Sequence, residues 1–167
     1  MIDFTPIARM AFSSRLMAAQ RFVNHGDTVQ REELDMLLQQ ASRTEIGVKY
    51  GFGDRMTYAQ FRERVPLHSY EDLRPQIMRM VRGEKDVLWR GKVTRFAQSS
   101  GTSDGKSKYI PISDESLKRC HYRGGSDVVA HYLNINPDSR MFSGKGFILG
   151  GSFANELNLP RGVQVGD

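Results

Sequence analysis

Residues 96–113 read FAQSSGTSDGKSKYIPIS. Five consecutive hydroxyl or glycine residues, Ser99 to Ser103, are followed by Gly105, Lys106 and Lys108. Many donors, little bulk and two cations let such a stretch fold around an anion with backbone N–H groups and hydroxyls, as a triphosphate requires. A Walker-type P-loop, G-x-x-x-x-G-K-[ST], is excluded on two grounds. Ser100 stands where the first glycine belongs, so GTSDGKS is one residue short. A P-loop also feeds a helix whose N-terminus faces the phosphates, whereas this stretch runs into the β-favouring KYIPI with its Pro111. A plain hairpin stays open, because Ser, Asp and Gly are ordinary turn formers.

The elements around the loop follow from periodicity. Phe4, Ile7, Ala8, Ala11, Phe12, Leu16, Ala19 and Val23 have helical spacing, with Thr5 as cap and Pro6 in the first turn, so the chain opens with a docking helix. NHGD (24–27) breaks it, and a second helix runs from about Thr28 to Ala41 with Leu34, Leu37, Leu38 and Ala41 on one face. GVKYGFGD (47–54) reads as a glycine-punctuated loop. Thr57 with Gln60 forms a capping box for a short helix ending before Pro66, and Ser69 with Asp72 forms another. Pro75 is placed to restart that second helix, which continues through QIMRMVR (76–82).

Strand character begins at GKVTRFAQ (91–98), and KYIPI (108–112) is the second strand. Ser113 then caps a long helix from about Asp114 to Leu133 that carries Leu117, Cys120, His121, Val128, Val129 and Leu133. Gly124 and Gly125 inside it cost about 1 kcal/mol each against Ala. They point either to close approach by a backbone or ligand or to a plain kink. NPDSRMFSGKG (136–146) is a loop and FILGG (147–151) a short buried strand. The fold class is therefore mixed α/β: a helical half over 1–90, a strand–loop–strand–helix unit over 91–153, and a final stretch over 154–167.

Composition narrows the chemistry. Lys and Arg exceed Asp and Glu by 24 − 19 = 5, which favours anionic ligands without requiring nucleic acid. MRMVRGEK (78–85) lacks the interleaved aromatics of an RNA-binding face and reads as a wet helix surface. Cys120 is the only cysteine, so neither an intramolecular disulfide nor a cysteine-based metal site forms, and a cytoplasmic setting is expected. No run of 18 apolar residues occurs, so no membrane partner is expected. His25, His68, His121 and His131 lack metal-ligand spacing. GKGFILGG (144–151) fails as a dinucleotide motif, having Leu149 at the third glycine position.

SSGTSDGKSK resembles the phosphate-binding motif of adenylate-forming enzymes, the acyl-CoA synthetase and firefly luciferase superfamily, whose general form is Ser-Ser-Gly-Thr-Thr-Gly-x-Pro-Lys. An extra residue before the second glycine and a missing proline are departures shared with one branch, the auxin-responsive Gretchen Hagen family of acyl acid–amido synthetases with its bacterial relatives. EDLRPQIMRMVRGEKDVLW (71–89), YIPIS (109–113), YRGGSDVVAHYL (122–133) and MFSGKGFILGGSF (141–153) also resemble that branch.

The resemblance implies that Ser99, Ser100, Gly101, Thr102, Ser103 and Gly105 line the phosphates of ATP, and that the motif lysine is Lys108 rather than Lys106. It implies a ligase that activates a carboxylic acid as an acyl adenylate and passes the acyl group to an amine such as an amino acid. Magnesium would offset the phosphate charge through ligands outside this chain. YRGGSD is one residue too long for the family's ribose motif and stands too near the loop, so no role passes to Asp127. Adenine, ribose and magnesium motifs have no counterpart here, and the sequence ends at LPRGVQVGD without a helical cap or polar tail. The expectation is the N-terminal portion of a several-fold longer enzyme, catalytically incomplete alone. The alternative is a small non-catalytic anion- or nucleotide-binding module, and a basic interaction domain ranks below both.

Overall fold

In the computed structural model the chain divides into two units, Met1–Val29 with Glu115–Gly150 and Gln30–Asp114 with Gly151–Asp167. The structure describes residues 2–53, 55–99, 107–147, 149–153 and 157–166. The order is mixed α/β, as expected: α1 (Thr5–Ala41), α2 (Glu45–Tyr50), α3 (Tyr58–Arg64), α4 (Tyr70–Val81), β1 (Arg95–Gln98), β2 (Tyr109–Ile112), α5 (Asp114–Ser116), a π-helical turn (Leu117–His121), α6 (Tyr122–Ile135) and β3 (Gln164–Gly166).

In the first unit the α1 cap falls on Asp3 rather than Thr5. The Asp3 carboxylate accepts from Thr5 N at 2.9 Å, and hydrogen bonding from the Thr5 side chain and then its backbone holds the Asp3 pKa below the usual carboxylate value. Thr5 is buried because its hydroxyl accepts from Phe142 N at 3.0 Å. The break expected at NHGD is present within α1: His25 leaves helical geometry, at φ −138° and ψ 36°, and the kink there separates two helical stretches. The Arg9 guanidinium donates to the carbonyls of Leu133, Asn136 (3.3 Å) and Pro137 (2.9 Å), filling acceptors that the end of α6 leaves orphaned. Asp127 is held by a two-bond pair from Arg15, Nε to Oδ1 at 2.6 Å and Nη2 to Oδ2 at 3.2 Å. Gly124 and Gly125 face open space, with nothing within 4 Å of an added Cβ. The π-turn ahead of α6 left no mark in the hydrophobic spacing.

The second unit contains the main core: Met80, Val81, Val87, Val93, Phe96, Val163 and Val165, with Trp89 and Tyr109 packed at its margin. GVKYGFGD is not all loop. Thr44 caps α2 by accepting from Gly47 N at 3.1 Å, and Gly51 ends the helix in the left-handed region at φ 68°. Both expected capping boxes form. Ser69 Oγ accepts from Asp72 N at 3.3 Å, while Asp72 Oδ2 accepts from Ser69 N at 2.7 Å. Pro75 lies within a continuous α4 instead of restarting it. Ser69→Ala is expected to cost about 1 kcal/mol of stability, read from the urea midpoint of Trp89 fluorescence.

The sheet order is β2-β1-β3, with β1 antiparallel to β2 and parallel to β3. Among the described residues of FILGG no strand forms. Phe147 and Leu149 are exposed, and Ile148 lies outside the described residues. The place beside β1 is taken by Gln164–Gly166, where Val163 and Val165 are buried and Gln164 is exposed.

The basic face of α4 is not bare. Arg79 donates to Glu45 at 3.0 and 2.7 Å and to Glu84 Oε2 at 2.8 Å. Hydrogen bonding to Arg79 lowers the pKa of both glutamates from 4.5. A depressed folded pKa stabilises the fold above the unfolded value and ceases to do so as pH falls through the folded one. The stability gap between the wild-type chain and Arg79→Gln should therefore hold from neutrality to about pH 4.5 and close below it. Urea midpoints measured across that range check this.

Candidate functional site

β1 and β2 pair through Arg95↔Ile112, Phe96↔Pro111, Ala97↔Ile110 and Gln98↔Tyr109. The pairing continues one step toward the Ser/Gly loop. Ser99 N donates to the carbonyl of Lys108 at 2.9 Å. In return Lys108 N donates to the Ser99 hydroxyl at 3.1 Å, so a side chain replaces a backbone carbonyl as acceptor. Beside this closure Gln98 Nε2 donates to Ser107 Oγ at 3.1 Å. The chain thus enters and leaves the loop through a neck fixed by three hydrogen bonds.

Of the residues singled out from the sequence, Ser99 and Lys108 are brought together at this neck. Ser100, Gly101, Thr102, Ser103 and Gly105, together with Lys106, lie outside the described residues. Ser99 spends one acceptor lone pair on Lys108 N, and a hydroxyl carries a donor and a second acceptor besides. Lys108 is half-buried, and its position just before β2 fixes its backbone through both the N–H and the carbonyl.

The outer side of β2 is a sheet edge, whose N–H groups need partners that no strand supplies. Tyr70, the first residue of α4, fills one such place: Tyr109 N donates to its hydroxyl at 2.8 Å. The same ring lies under the Lys108 ammonium, 5.7 Å from Nζ to the centroid, within cation–π range. Sequence reading singled out Tyr70, Gln98 and Ser107 for no role. Gln98 immediately precedes the motif and Ser107 lies within it, next to Lys108. Tyr70 is 39 residues from its partner, and only the packing of α4 on β2 joins them.

A cleft of about 260 Å³ lies elsewhere in the second unit, between α2 and α4, lined in part by Lys49, Tyr50, His68, Leu73 and Leu88. Four of its polar residues are already engaged. Tyr50 Oη and His68 Nε2 pair at 3.1 Å, Glu45 holds Arg79, and Asp72 serves its capping box. Among the described residues no helix is long and apolar enough to cross a membrane.

A family model described as the GH3 family N-terminal domain matches residues 15–165. The chain is 32% identical over 107 residues to indole-3-acetic acid-amido synthetase GH3.6 of Arabidopsis thaliana, covering 64% of this chain and 18% of the relative. It is 37% identical over 94 residues to indole-3-acetic acid-amido synthetase GH3.8 of Oryza sativa subsp. indica, covering 56% and 16%. Among solved structures it resembles GH3.15 acyl acid amido synthetase at TM-score 0.70 and 24% identity, over 90% of this chain and 26% of that one. It also resembles AtGH3.15 acyl acid amido synthetase in complex with 2,4-DB at TM-score 0.74 and 22% identity, over 94% and 27%. At those identities the structural likeness concerns the fold alone. The chain spans less than a fifth of the length of these curated relatives. The match over residues 15–165 takes in both β-strands of the neck, the Ser/Gly loop and α4, and on it this chain belongs to the GH3 family, through that family's N-terminal domain.

Proposed function

We propose that this chain supplies the phosphate-binding part of an ATP-dependent acid–amine ligase. The observation that carries the reading is the neck, where Ser99 and Lys108 close the Ser/Gly loop by reciprocal hydrogen bonds. In the reaction a carboxylate oxygen of the acid attacks the α-phosphorus of ATP, an acyl adenylate forms and pyrophosphate departs. An amine nitrogen, such as that of an amino acid, then attacks the acyl carbon and AMP leaves. The loop from Ser99 through Ser100, Gly101, Thr102, Ser103 and Gly105 presents N–H and hydroxyl donors to the phosphates, and the Lys108 ammonium offsets the charge that grows on the departing pyrophosphate. Donors held in place before the reaction need no reorganisation as that charge develops.

Magnesium would accompany the nucleotide as counter-ion. Among the described residues no three His, Cys, Asp or Glu side chains gather to hold a metal, so no residue of this chain is assigned to it. Adenine, ribose and metal contacts come from other parts of the enzyme, and these residues alone are catalytically incomplete. The names of the relatives support carboxylic acids of the indole-3-acetic acid kind as substrates. The lone, exposed Cys120 fits a cytoplasmic setting.

The test is ATP–pyrophosphate exchange by the intact gene product with a panel of carboxylic acids that includes indole-3-acetic acid. Exchange that depends on the acid is the expected result. ATP binding without exchange for any acid would instead favour a non-catalytic nucleotide-binding module.

A further inference from the structure

A lysine with four rotatable side-chain bonds pays an entropic cost when it is held toward a ligand, so a site that uses one benefits from a rigid neighbour. At the neck that neighbour is Tyr70. Its backbone is fixed at the start of α4 directly after the Ser69 capping box. Its hydroxyl is fixed at the other end by the Tyr109 N–H, 2.8 Å away. A ring anchored at both ends has little freedom, and its face lies 5.7 Å from Lys108 Nζ. The hydrogen bond and the ring contact act on adjacent residues, Lys108 and Tyr109.

We propose that Tyr70 is a positioning residue for Lys108. Its hydroxyl fixes the start of β2, and its ring holds the ammonium beside the mouth of the loop, where a nucleotide phosphate is received. This rests on the phosphate reading of the loop given above. Tyr70 touches no reacting atom and acts only through the lysine. The two contacts are separable, because Tyr70→Phe keeps the ring and removes the hydroxyl, whereas Tyr70→Leu removes both.

The experiment uses this chain with its lysines reductively ¹³C-methylated, which preserves their charge. The Lys108 methyl resonance is assigned by its absence in Lys108→Ala. A methylammonium near an aromatic face is displaced from the position of exposed lysines. That displacement should be present in the wild-type chain, retained in Tyr70→Phe and lost in Tyr70→Leu, while Tyr70→Phe speeds hydrogen exchange at the Tyr109 amide. Titration with MgATP, followed on the same resonances, should show Tyr70→Leu weakening binding about fivefold and adding nothing in a Lys108→Ala background.

A Lys108 resonance that ignores Tyr70→Leu, or that moves to the exposed position in Tyr70→Phe, overturns the proposal. So does an equal loss of MgATP affinity from Tyr70→Leu with and without Lys108, which would make Tyr70 a scaffold only. If Lys108→Ala leaves MgATP binding unchanged, the phosphate reading fails, and with it the purpose given to Tyr70. The resonance then records separately whether the ring holds the lysine. Tyr70→Phe keeps the test decisive should Tyr70→Leu fail to fold.

Discussion

Lys108→Ala should lower acid-dependent ATP–pyrophosphate exchange by about 10²- to 10³-fold, the loss typical of removing one preorganised group that stabilises transition-state charge. Lys106→Ala should cost far less. The two lysines are two residues apart, and the distinction between them is one of register. Lys106 stands in the Gly-Lys-Ser that imitates a P-loop. Lys108 ends the stretch that resembles the phosphate motif of adenylate-forming enzymes, and the neck fixes its backbone through Ser99 on one side of the strand. A lysine so held presents its charge from a defined origin, and Tyr70 limits where the ammonium can go. The expected effect falls on kcat for adenylation more than on binding of the acid, because the charge it meets develops as pyrophosphate leaves. Equal losses for the two variants would show the register to be wrong. A loss confined to Lys106→Ala would return the loop to the P-loop reading that its length and its following strand argue against.

The second large effect is on stability and comes from a glycine without chemistry. Gly47→Ala should destabilise the second unit by about 3 kcal/mol or more. A Cβ at Gly47 would stand 1.9 Å from the carbonyl oxygen of Ala41 and 2.8 Å from its carbonyl carbon. Both are backbone atoms, so no rotamer relieves the clash. That oxygen is also committed, accepting from Thr44 N at 3.0 Å and from the Thr44 hydroxyl at 2.7 Å. Nor can α2 back away freely, because Glu45 N and Ile46 N donate to the carbonyls of Asp86 and Val87 at 2.8 and 3.2 Å. Gly26→Ala is the contrasting substitution. Nothing lies within 4 Å of its added Cβ, and alanine restricts the unfolded chain, so its urea midpoint should stay level or rise. Trp89, the only tryptophan, packs against the core of the second unit and reports the Gly47→Ala transition, whereas the Gly26→Ala midpoint is read from far-ultraviolet circular dichroism because Gly26 lies in the first unit. A Gly47→Ala midpoint equal to wild type would mean that the turn between α1 and α2 is not built as described.

Local signals served well where the physics is local. A capping box is decided within four residues, so Thr57 with Gln60 and Ser69 with Asp72 were readable, as was the stop before Pro66. The strand–loop–strand pattern was readable for the same reason, since turn formers between two β-favouring runs define a hairpin. The failures share a different cause. Thr5 looked like a cap, but its hydroxyl serves Phe142, 137 residues away, and Asp3 caps instead. FILGG looked like a buried strand, but its described residues Phe147 and Leu149 are exposed, and the strand that joins β1 is Gln164–Gly166. GVKYGFGD looked like a loop because of its glycines, yet Gly47 is there so that α2 can lie against Ala41.

For the site, the sequence by itself determined the loop's donor-rich composition and the resemblance to a family to which the chain belongs, and it is that resemblance which favours Lys108 over Lys106. Those depend on residue types at fixed spacings along one stretch of chain. The tertiary structure alone decided that Ser99 and Lys108 bond each other across the neck, that Arg79 of α4 is paired with Glu45 and Glu84, and that a tyrosine 39 residues from its partner stands beneath the lysine. The pairing of β1 with a parallel third strand belongs to the same class. Each joins residues whose separation in sequence carries no periodic signal, and each depends on which sheet edge and helix face remain free once the core has formed.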